Sequence, residues 1–181
     1  MTAIILAAGL STRFGGDKLL AEIGGKPIIL RVIETVRKCG FREIILVSRS
    51  SDVKELINDE NIKVVVNKDA ALGKSTSVKC GVSSAKYDDS FMFFAADQPF
   101  IDEKTVRALI EAYDSGKGSI IVPRYNGVSG NPVIFAGRWK QELLSLEGDM
   151  GGKAIINANP DEVCYVETGN PSAGIDIDTL D

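Results

Sequence analysis

The sequence predicts an α/β fold with a mostly parallel sheet, and three observations lead to that class. Short apolar runs of strand length alternate along the chain with segments of helical periodicity. One run, Phe91–Ala95, is entirely apolar, as expected for a strand covered on both faces. The 181 residues, 44% of them hydrophobic, suffice for one domain but not for two of ordinary size. We therefore expect a single domain over residues 1–181, with helices on both faces of its sheet.

The first half of the chain is predicted to hold four strands and three helices. Thr2–Leu6 is a short apolar run, typical of a buried strand, and a stretch rich in glycine and serine follows it. Pro27 then begins a helical pattern that Gly40 ends. The same reasoning predicts strands at Ile44–Val47, Ile62–Val66 and Phe91–Ala95, and helices at Val53–Ile57 and Ser75–Ser84.

The second half continues the alternation. Asp102 is the predicted N-cap of a helix over Glu103–Tyr113, whose apolar side chains recur at helical spacing. Two short strands flank a predicted loop over Tyr125–Pro132. In order, the remaining predictions are strands at Ile120–Val122 and Val133–Phe135, helices at Trp139–Leu146 and Gly151–Asn157, and strands at Val163–Val166 and Ile175–Ile177.

Composition excludes several classes of function. The chain has no histidine, which rules out Ser-His-Asp and Cys-His catalysis and metal sites built on histidine. A net charge of −4 without a block of lysines or arginines argues against a general nucleic-acid binder. Any catalysis must therefore use carboxylates, lysines, arginines, backbone amides or a bound cation.

The cysteines and the N-terminal segment indicate a cytoplasmic protein. Cys39, Cys80 and Cys164 are widely spaced and form no CxxC pair, so we expect reduced thiols rather than disulfides or a zinc site. The apolar segment Met1–Gly9 has no basic region before it and breaks off at glycine. It is neither a signal peptide nor long enough to span a bilayer, so no membrane contact is expected.

The segment Leu6–Lys18 is the first candidate binding loop. It follows the first strand, and ligands of such sheets bind at the carboxyl ends of the strands. Its small residues let the backbone approach a ligand closely, while Arg13 and Lys18 offer cationic donors to phosphate oxygens. The spacing matches neither the dinucleotide-binding fingerprint nor the Walker motif. A tight turn with solvated charges stays open as the alternative.

Carboxylates near two other strand ends suggest a cation site. Asp97 follows the apolar fourth strand and is a natural ligand for Mg²⁺, which prefers one or two carboxylates together with substrate phosphates. Asp176 and Asp178 alternate in a predicted strand and so share a face. A turn aspartate and two solvated carboxylates are the alternatives. If the three meet, they complete a metal site.

Three further segments are ambiguous by themselves. The helix that begins near Gly73 opens with small hydroxyl residues whose amides can bind a base or ribose oxygen, or simply form an N-cap. The segments Gly130–Val133 and Gly148–Lys153 are rich in glycine. They suit an acceptor substrate, but taken alone they fit ordinary turns better.

Taken in order, these segments resemble a known family. The motifs L-A-A-G-x-S-x-R-F-G-x-x-K, A-D-Q-P, G-N-P-V-x-F, G-D-x-G-x-K and D-I-D-T are similar to those of the MobA-like nucleotidyltransferases. The resemblance runs from residue 3 to residue 181 and is greatest to the branch that makes the cytidylyl form of the molybdenum cofactor. It implies a Rossmann-like, three-layer fold with a mixed sheet, like that of nucleotide-diphospho-sugar transferases.

The resemblance also implies an activity: transfer of CMP from Mg²⁺-bound CTP to the terminal phosphate of a molybdopterin acceptor. A molybdenum dehydrogenase is then a possible protein partner. By position, Arg13, Lys18 and Asp97 are the implied catalytic residues, and Asp97 with Asp176 or Asp178 binds the metal. The implied nucleotide-binding residues are Leu6, Ala7, Ala8, Gly9, Ser11, Arg13, Lys18, Asn67 and Ser77. The implied acceptor-binding residues are Tyr125, Asn131, Asp149 and Lys153.

Base and acceptor stay open at this stage. Ala8 favours CTP, because the corresponding motif of guanylyl-transferring relatives resembles L-A-G-G. Gly15 and Gly16, by contrast, resemble the pattern of those guanylyl-transferring relatives and so favour GTP. One alternative is a transferase that acts on a sugar, polyol or choline phosphate. Another is a carrier or insertion protein for a molybdenum dehydrogenase, although such a carrier does not need Arg13, Lys18 and Asp97 together.

Overall fold

The computed structural model describes residues 1–9 and 18–177. Within them, no helix is long and apolar enough to cross a membrane. The helices are α1 (Ile28–Lys38), α2 (Val53–Ile57), α3 (Lys74–Ser84), α4 (Glu103–Asp114), α5 (Lys140–Leu144) and α6 (Lys153–Ala158). The strands are β1 (Thr2–Leu6), β2 (Glu22–Ile23), β3 (Lys26–Pro27), β4 (Glu43–Ser48), β5 (Ile62–Val66), β6 (Ser90–Ala95), β7 (Ile120–Tyr125), β8 (Val128–Ser129), β9 (Val133–Ala136) and β10 (Val163–Glu167).

A mixed sheet runs through the described residues in the order β10-β7-β9-β6-β1-β4-β5, and β8 adds to β7. The pairs β1–β4, β1–β6, β4–β5 and β7–β10 are parallel. Strand β9 runs antiparallel to both of its neighbours, and β8 is antiparallel to β7. The predicted mostly parallel α/β sheet is confirmed. The insertion of β9 between β6 and β7 separates strands that follow each other in the sequence.

Helices cover both faces of the sheet, which makes three layers. On one face, Val32 of α1 and Leu109 of α4 are buried against Ile5 and Phe94. On the other face, Val78 of α3, Leu143 of α5 and Ile155 of α6 pack around Phe91 and Phe135. Strands β1 and β6 lie at the centre and are buried on both faces, which explains their continuous apolar runs.

The predicted N-cap of α4 is confirmed. The backbone N–H of Thr105 donates to Asp102 Oδ1 over 2.7 Å, and Asn170 Nδ2 donates to Asp102 Oδ2 over 2.6 Å. Burial opposes ionisation of this carboxyl, but these hydrogen bonds outweigh it and lower the pKa of Asp102. The same aspartate therefore caps a helix and anchors the segment that leads to Asp176.

Helix α3 lies very close to the central strand because its residues are small. A Cβ at Gly81 would stand 2.6 Å from Ile4 Cγ2, and Ser75 and Ser77 are buried beside it. A larger residue at Gly81 would push the helix off β1. The close contact holds the first turn of α3 beside the loop that follows β1.

Two predictions about the chain course are wrong. The expected strand over Ile175–Ile177 is absent; a 3₁₀ turn at Pro171–Gly174 precedes an extended segment whose Ile177 N–H donates to the carbonyl of Asp97 over 3.1 Å. One such bond tethers the segment but does not make it a strand. The expected loop over Tyr125–Pro132 is a hairpin that contains β8, because Asn126 and Gly127 adopt the positive φ angles of a tight turn.

Candidate active site

A cleft of about 910 Å³ opens at the carboxyl ends of β1, β6 and β7. One side is formed by Leu6–Gly9 after β1 and by the start of α3, and the other by residues 129–131 and 149–153. This is where ligands of open parallel sheets are expected to bind. The volume lies in the range of known small-molecule sites.

An ion pair joins two of the predicted catalytic residues inside the cleft. Lys18 Nζ lies 3.0 Å from Asp97 Oδ2, although 79 residues separate them in the sequence. The Lys18 side chain is 11% exposed and that of Asp97 33%, so the lysine is largely enclosed while the carboxylate faces the cleft. A charge pair at the strand ends can hold an anionic ligand through the lysine and a cation through the carboxylate.

Asp176 is brought to this pair by Gln98, a residue that the sequence analysis did not select. The buried Gln98 Nε2 donates to Asp176 Oδ1 over 2.8 Å. The next residue, Ile177, donates its N–H to the carbonyl of Asp97. Both Asp97 and Asp176 line the cleft. Gln98 belongs to the A-D-Q-P motif, and that was the sequence signal that could have identified it as a site residue.

Three predicted site residues, Ser11, Arg13 and Asp178, lie outside the described residues. Within those residues, no group of three or more histidine, cysteine, aspartate or glutamate side chains could hold a metal. Asp97 and Asp176 both line the cleft, and two carboxylates are enough for a Mg²⁺ ion that takes its other ligands from substrate phosphates, so their role as metal ligands stays a prediction.

The predicted nucleotide side of the cleft includes backbone as well as side chains. Ala7, Ala8 and Gly9 line the cavity, and a Cβ built on Gly9 would meet no heavy atom of residues 1–9 or 18–177 within 4 Å. Ser77 lines the same space. Asn67 does not: it is buried, donating to the hydroxyls of Thr76 and Ser77 over 2.9 and 3.0 Å. Asn67 therefore positions the start of α3.

Three of the four predicted acceptor residues lie in the cleft, and their role in binding an acceptor stays a prediction. Asn131, Asp149 and Lys153 line the cleft, whereas Tyr125 does not. The Tyr125 ring points to the opposite face of the sheet, where it packs on Gly130 and Gly174, and its hydroxyl donates to the carbonyl of Asn131. Burial raises the pKa of this phenol well above its usual range, so it stays protonated and keeps donating. Tyr125 thus supports Asn131 from behind.

The two sides of the cleft touch at a pair of glycines. Ser75 N–H donates to the carbonyl of Gly148 over 3.0 Å, and a Cβ on Gly73 would lie 2.3 Å from Gly148 C and O. The first turn of α3 is thereby bound to the loop that carries Asp149. Lys74 also lines the cleft and adds a positive charge at this junction, which periodicity alone did not reveal.

The sequence matches the family model described as "MobA-like NTP transferase domain" over residues 3–163. This chain belongs to the MobA-like NTP transferase family. The resemblance seen in the motifs is thereby confirmed. The family model spans the segment after β1, the Lys18–Asp97 pair and the acceptor-side loops of the cleft.

Relatives of this MobA-like chain carry different names. It is 32% identical over 174 residues to a probable molybdenum cofactor guanylyltransferase of Thermococcus sibiricus, with 92% of this chain and 85% of the relative covered. It is 27% identical over 190 residues to the nicotine blue oxidoreductase of Paenarthrobacter nicotinovorans, with 100% and 93% covered.

Solved structures share the MobA-like fold. The crystal structure of Rv0371c from Mycobacterium tuberculosis H37Rv matches with a TM-score of 0.84 at 24% identity, covering 98% of this chain and 92% of that chain. The same protein in complex with manganese matches with a TM-score of 0.78 at 24% identity, covering 92% and 87%. The three-layer arrangement predicted from the sequence is therefore that of solved relatives.

Proposed function

We propose that this chain transfers CMP from CTP to the terminal phosphate of a molybdopterin-type acceptor and releases pyrophosphate. The observation that carries the proposal is the Lys18–Asp97 pair, which lies in a cleft of about 910 Å³ between a nucleotide side and an acceptor side. Nucleotidyl transfer agrees with the membership of the MobA-like NTP transferase family. The molybdopterin acceptor follows the name of the Thermococcus sibiricus relative.

The reaction asks little acid–base chemistry of the protein. An acceptor phosphate oxygen forms a bond to the α-phosphorus of the nucleotide, and the bond from that phosphorus to the bridging oxygen of the β-phosphate breaks. The attacking group is already ionised, so the protein must align two anions and neutralise the charge that develops between them. Lys18 supplies positive charge on the nucleotide side, and Lys74 and Lys153 supply it near the acceptor side.

A divalent cation, with Mg²⁺ as the proposed ion, completes this arrangement. Asp97 and Asp176 would hold it, and it would supply charge neutralisation between the phosphates. The ion pair to Lys18 keeps the Asp97 carboxylate oriented before any ligand binds. The manganese complex of Rv0371c supports a divalent ion in proteins of this fold.

CTP is the proposed nucleotide because of Ala8. Ala8 lines the cleft, and the motif of guanylyl-transferring relatives resembles L-A-G-G at this point, with glycine in place of Ala8. The larger residue leaves less room and favours the smaller pyrimidine base. GTP is the second candidate, since the Thermococcus sibiricus relative is named a guanylyltransferase.

Pyrophosphate release tests the activity. Purified protein with Mg²⁺, CTP or GTP, and molybdopterin should release pyrophosphate, and a panel of sugar, polyol and choline phosphates should not replace the pterin. Asp97→Asn should reduce the rate about a hundredfold, the cost of losing one electrostatic contact to a transition state. The matched control is Asp88→Asn. Asp88 forms an ion pair with Lys140 at the same distance, 3.0 Å, but neither residue lines the cleft.

Three results would overturn parts of the proposal. Equal rates for Asp97→Asn and the wild-type protein would refute the catalytic assignment. Transfer to a sugar phosphate with none to the pterin would refute the acceptor. To test the base, we expect Mg·CTP to raise the melting temperature more than Mg·GTP does. Ala8→Gly should reduce the difference between these two shifts. A larger shift with GTP in the wild-type protein would make GTP the substrate.

A further inference from the structure

A row of apolar side chains forms the floor of the acceptor side of the cleft. The sheet register places Phe93 beside Val133, and Val122 beside Tyr165. The pairing of Ile121 with Ile134 puts Val122 next to Val133, so the four residues stand in one line across β6, β9, β7 and β10. All four line the cleft. The floor is therefore apolar and follows the plane of the sheet.

Tyr165 ends this row and differs from its other members. Phe93, Val133 and Val122 are buried, whereas Tyr165 is 42% exposed. It is thus a large aromatic ring in the wall of the cleft that keeps part of its surface open. An exposed ring at the end of an apolar floor is suited to stack on a flat, conjugated ligand.

Arg124 covers part of this ring. It lies two residues after Val122 on β7 and so projects from the same face of the sheet. The guanidinium carbon is 3.8 Å from the centre of the Tyr165 ring. The Nε atom of Arg124 is buried and has no hydrogen-bond partner among the described residues. Within the same residues, no carboxylate pairs with this guanidinium, and Tyr165 lines the cleft whereas Arg124 does not.

Two other arginines of the described chain lie over aromatic rings, and both have partners. Arg42 lies over Tyr87 and pairs with Asp89 at 3.4 Å. Arg138 lies over Trp139 and pairs with Glu162. Neither ring lines the cleft. Among the described residues, Arg124 is therefore the arginine of these three that has no carboxylate partner, and Tyr165 is the one of their three rings that lines the cleft.

We propose that Tyr165 and Arg124 form the platform that binds the flat heterocyclic ring of the acceptor. The heterocycle stacks on the face of Tyr165 that Arg124 leaves open, and the guanidinium of Arg124 fixes the orientation of the Tyr165 ring from its other face. This inference rests on the proposed function, because it takes the acceptor phosphate to lie beside Lys18 and Asp97. It assigns the opposite end of the acceptor to residues that no motif selected.

The sheet order sets the length of such an acceptor. Asp97 follows β6, and Tyr165 lies on β10, three strands away. Neighbouring strands are about 4.8 Å apart, so the phosphate and the ring must be separated by roughly 14 Å. A single sugar phosphate is too short to reach from one end to the other, whereas a phosphate joined to a fused ring system can extend across the floor.

Pterin fluorescence tests the platform without turnover. The probe is a pterin that carries a phosphate on its side chain, titrated while the nucleotide side is saturated with Mg²⁺ and a non-hydrolysable CTP analogue. Quenching should report binding to the wild type. Tyr165→Leu should raise the Kd of the probe about tenfold, the size of one base–aromatic stack, and Tyr165→Phe should restore it. Arg124→Gln should also raise the Kd of the probe, because the Tyr165 ring loses the guanidinium that fixes its orientation.

The matched control is Tyr87→Leu, which removes the ring of the Arg42 pair away from the cleft and should leave the Kd unchanged. In the transfer assay, Tyr165→Leu should raise KM for molybdopterin while KM for the nucleotide stays constant. Equal Kd values for Tyr165→Leu and the wild type would refute the platform even if transfer proceeds normally. Probe binding that depends on Tyr165, without any transfer, would support the platform and refute the proposed function.

Discussion

Replacing Gly73 by alanine tests how tightly the two sides of the cleft are bound to each other. Gly73 has φ +116° and ψ 170°, a conformation that is almost restricted to glycine and costs another residue about 1–3 kcal/mol. A new Cβ would also stand 2.3 Å from Gly148 C and O, against at least 3.4 Å for ordinary contact. The loop at Gly148 must therefore withdraw by about 1 Å, which breaks its hydrogen bond to Ser75 N–H.

The size of the effect follows from these parts. Loss of the buried hydrogen bond adds about 1–3 kcal/mol to the backbone strain. We expect Gly73→Ala to lower the free energy of unfolding by about 2–6 kcal/mol in total. For a chain of this length, each kcal/mol corresponds to roughly 2–4 °C in the melting temperature. Calorimetry should therefore record a decrease of about 4–24 °C.

Gly116→Ala is the matched control, since Gly116 also has a positive φ, +71°, but a Cβ there meets no heavy atom within 4 Å. It keeps the strain and omits the clash, so its cost should be about 1–2 kcal/mol. KM for the acceptor should rise in Gly73→Ala alone, because the displaced loop carries Asp149. Equal melting temperatures for the two variants would refute the role of the Gly73–Gly148 contact.

Two further predictions concern the segment that leads to Asp176. Asp102→Ala should lower the free energy of unfolding by about 1–2 kcal/mol at neutral pH, measured by urea denaturation. The pKa of Asp102 is lowered in the folded protein, so the carboxylate stabilises the fold fully above its ordinary pKa, and this stabilisation is lost as the pH falls through the folded-state pKa. The difference in unfolding free energy between the variant and the wild type should therefore shrink in acid. A difference that does not change with pH would contradict this role of Asp102. Gln98→Leu should raise the Mg²⁺ concentration needed for half-maximal transfer about tenfold, because Asp176 loses its 2.8 Å hydrogen bond. Excess Mg²⁺ should restore the rate. An unchanged Mg²⁺ requirement would exclude Asp176 from the cation site.

The sequence by itself determined the fold class and most of the strand and helix positions. Apolar runs and helical periodicity are local properties, so Thr2–Leu6, Val53–Ile57 and Ile62–Val66 were predicted with the bounds that the structure has. Lys18 and Asp97 were also found from local signals, since each follows a recognisable strand and strand ends meet at one edge of a parallel sheet.

Only the tertiary structure decided which distant residues share a surface. The Ile175–Ile177 prediction was wrong because short apolar alternation does not distinguish a strand from an extended segment held by Gln98 and Asp97. Tyr125 and Arg124 are adjacent in sequence, yet alternation along β7 places them on opposite faces of the sheet, with Arg124 on the face that carries Tyr165. The floor from Phe93 to Tyr165 depends on the insertion of β9 between β6 and β7. Strand order is set by packing of the whole sheet, and no local pattern encodes it.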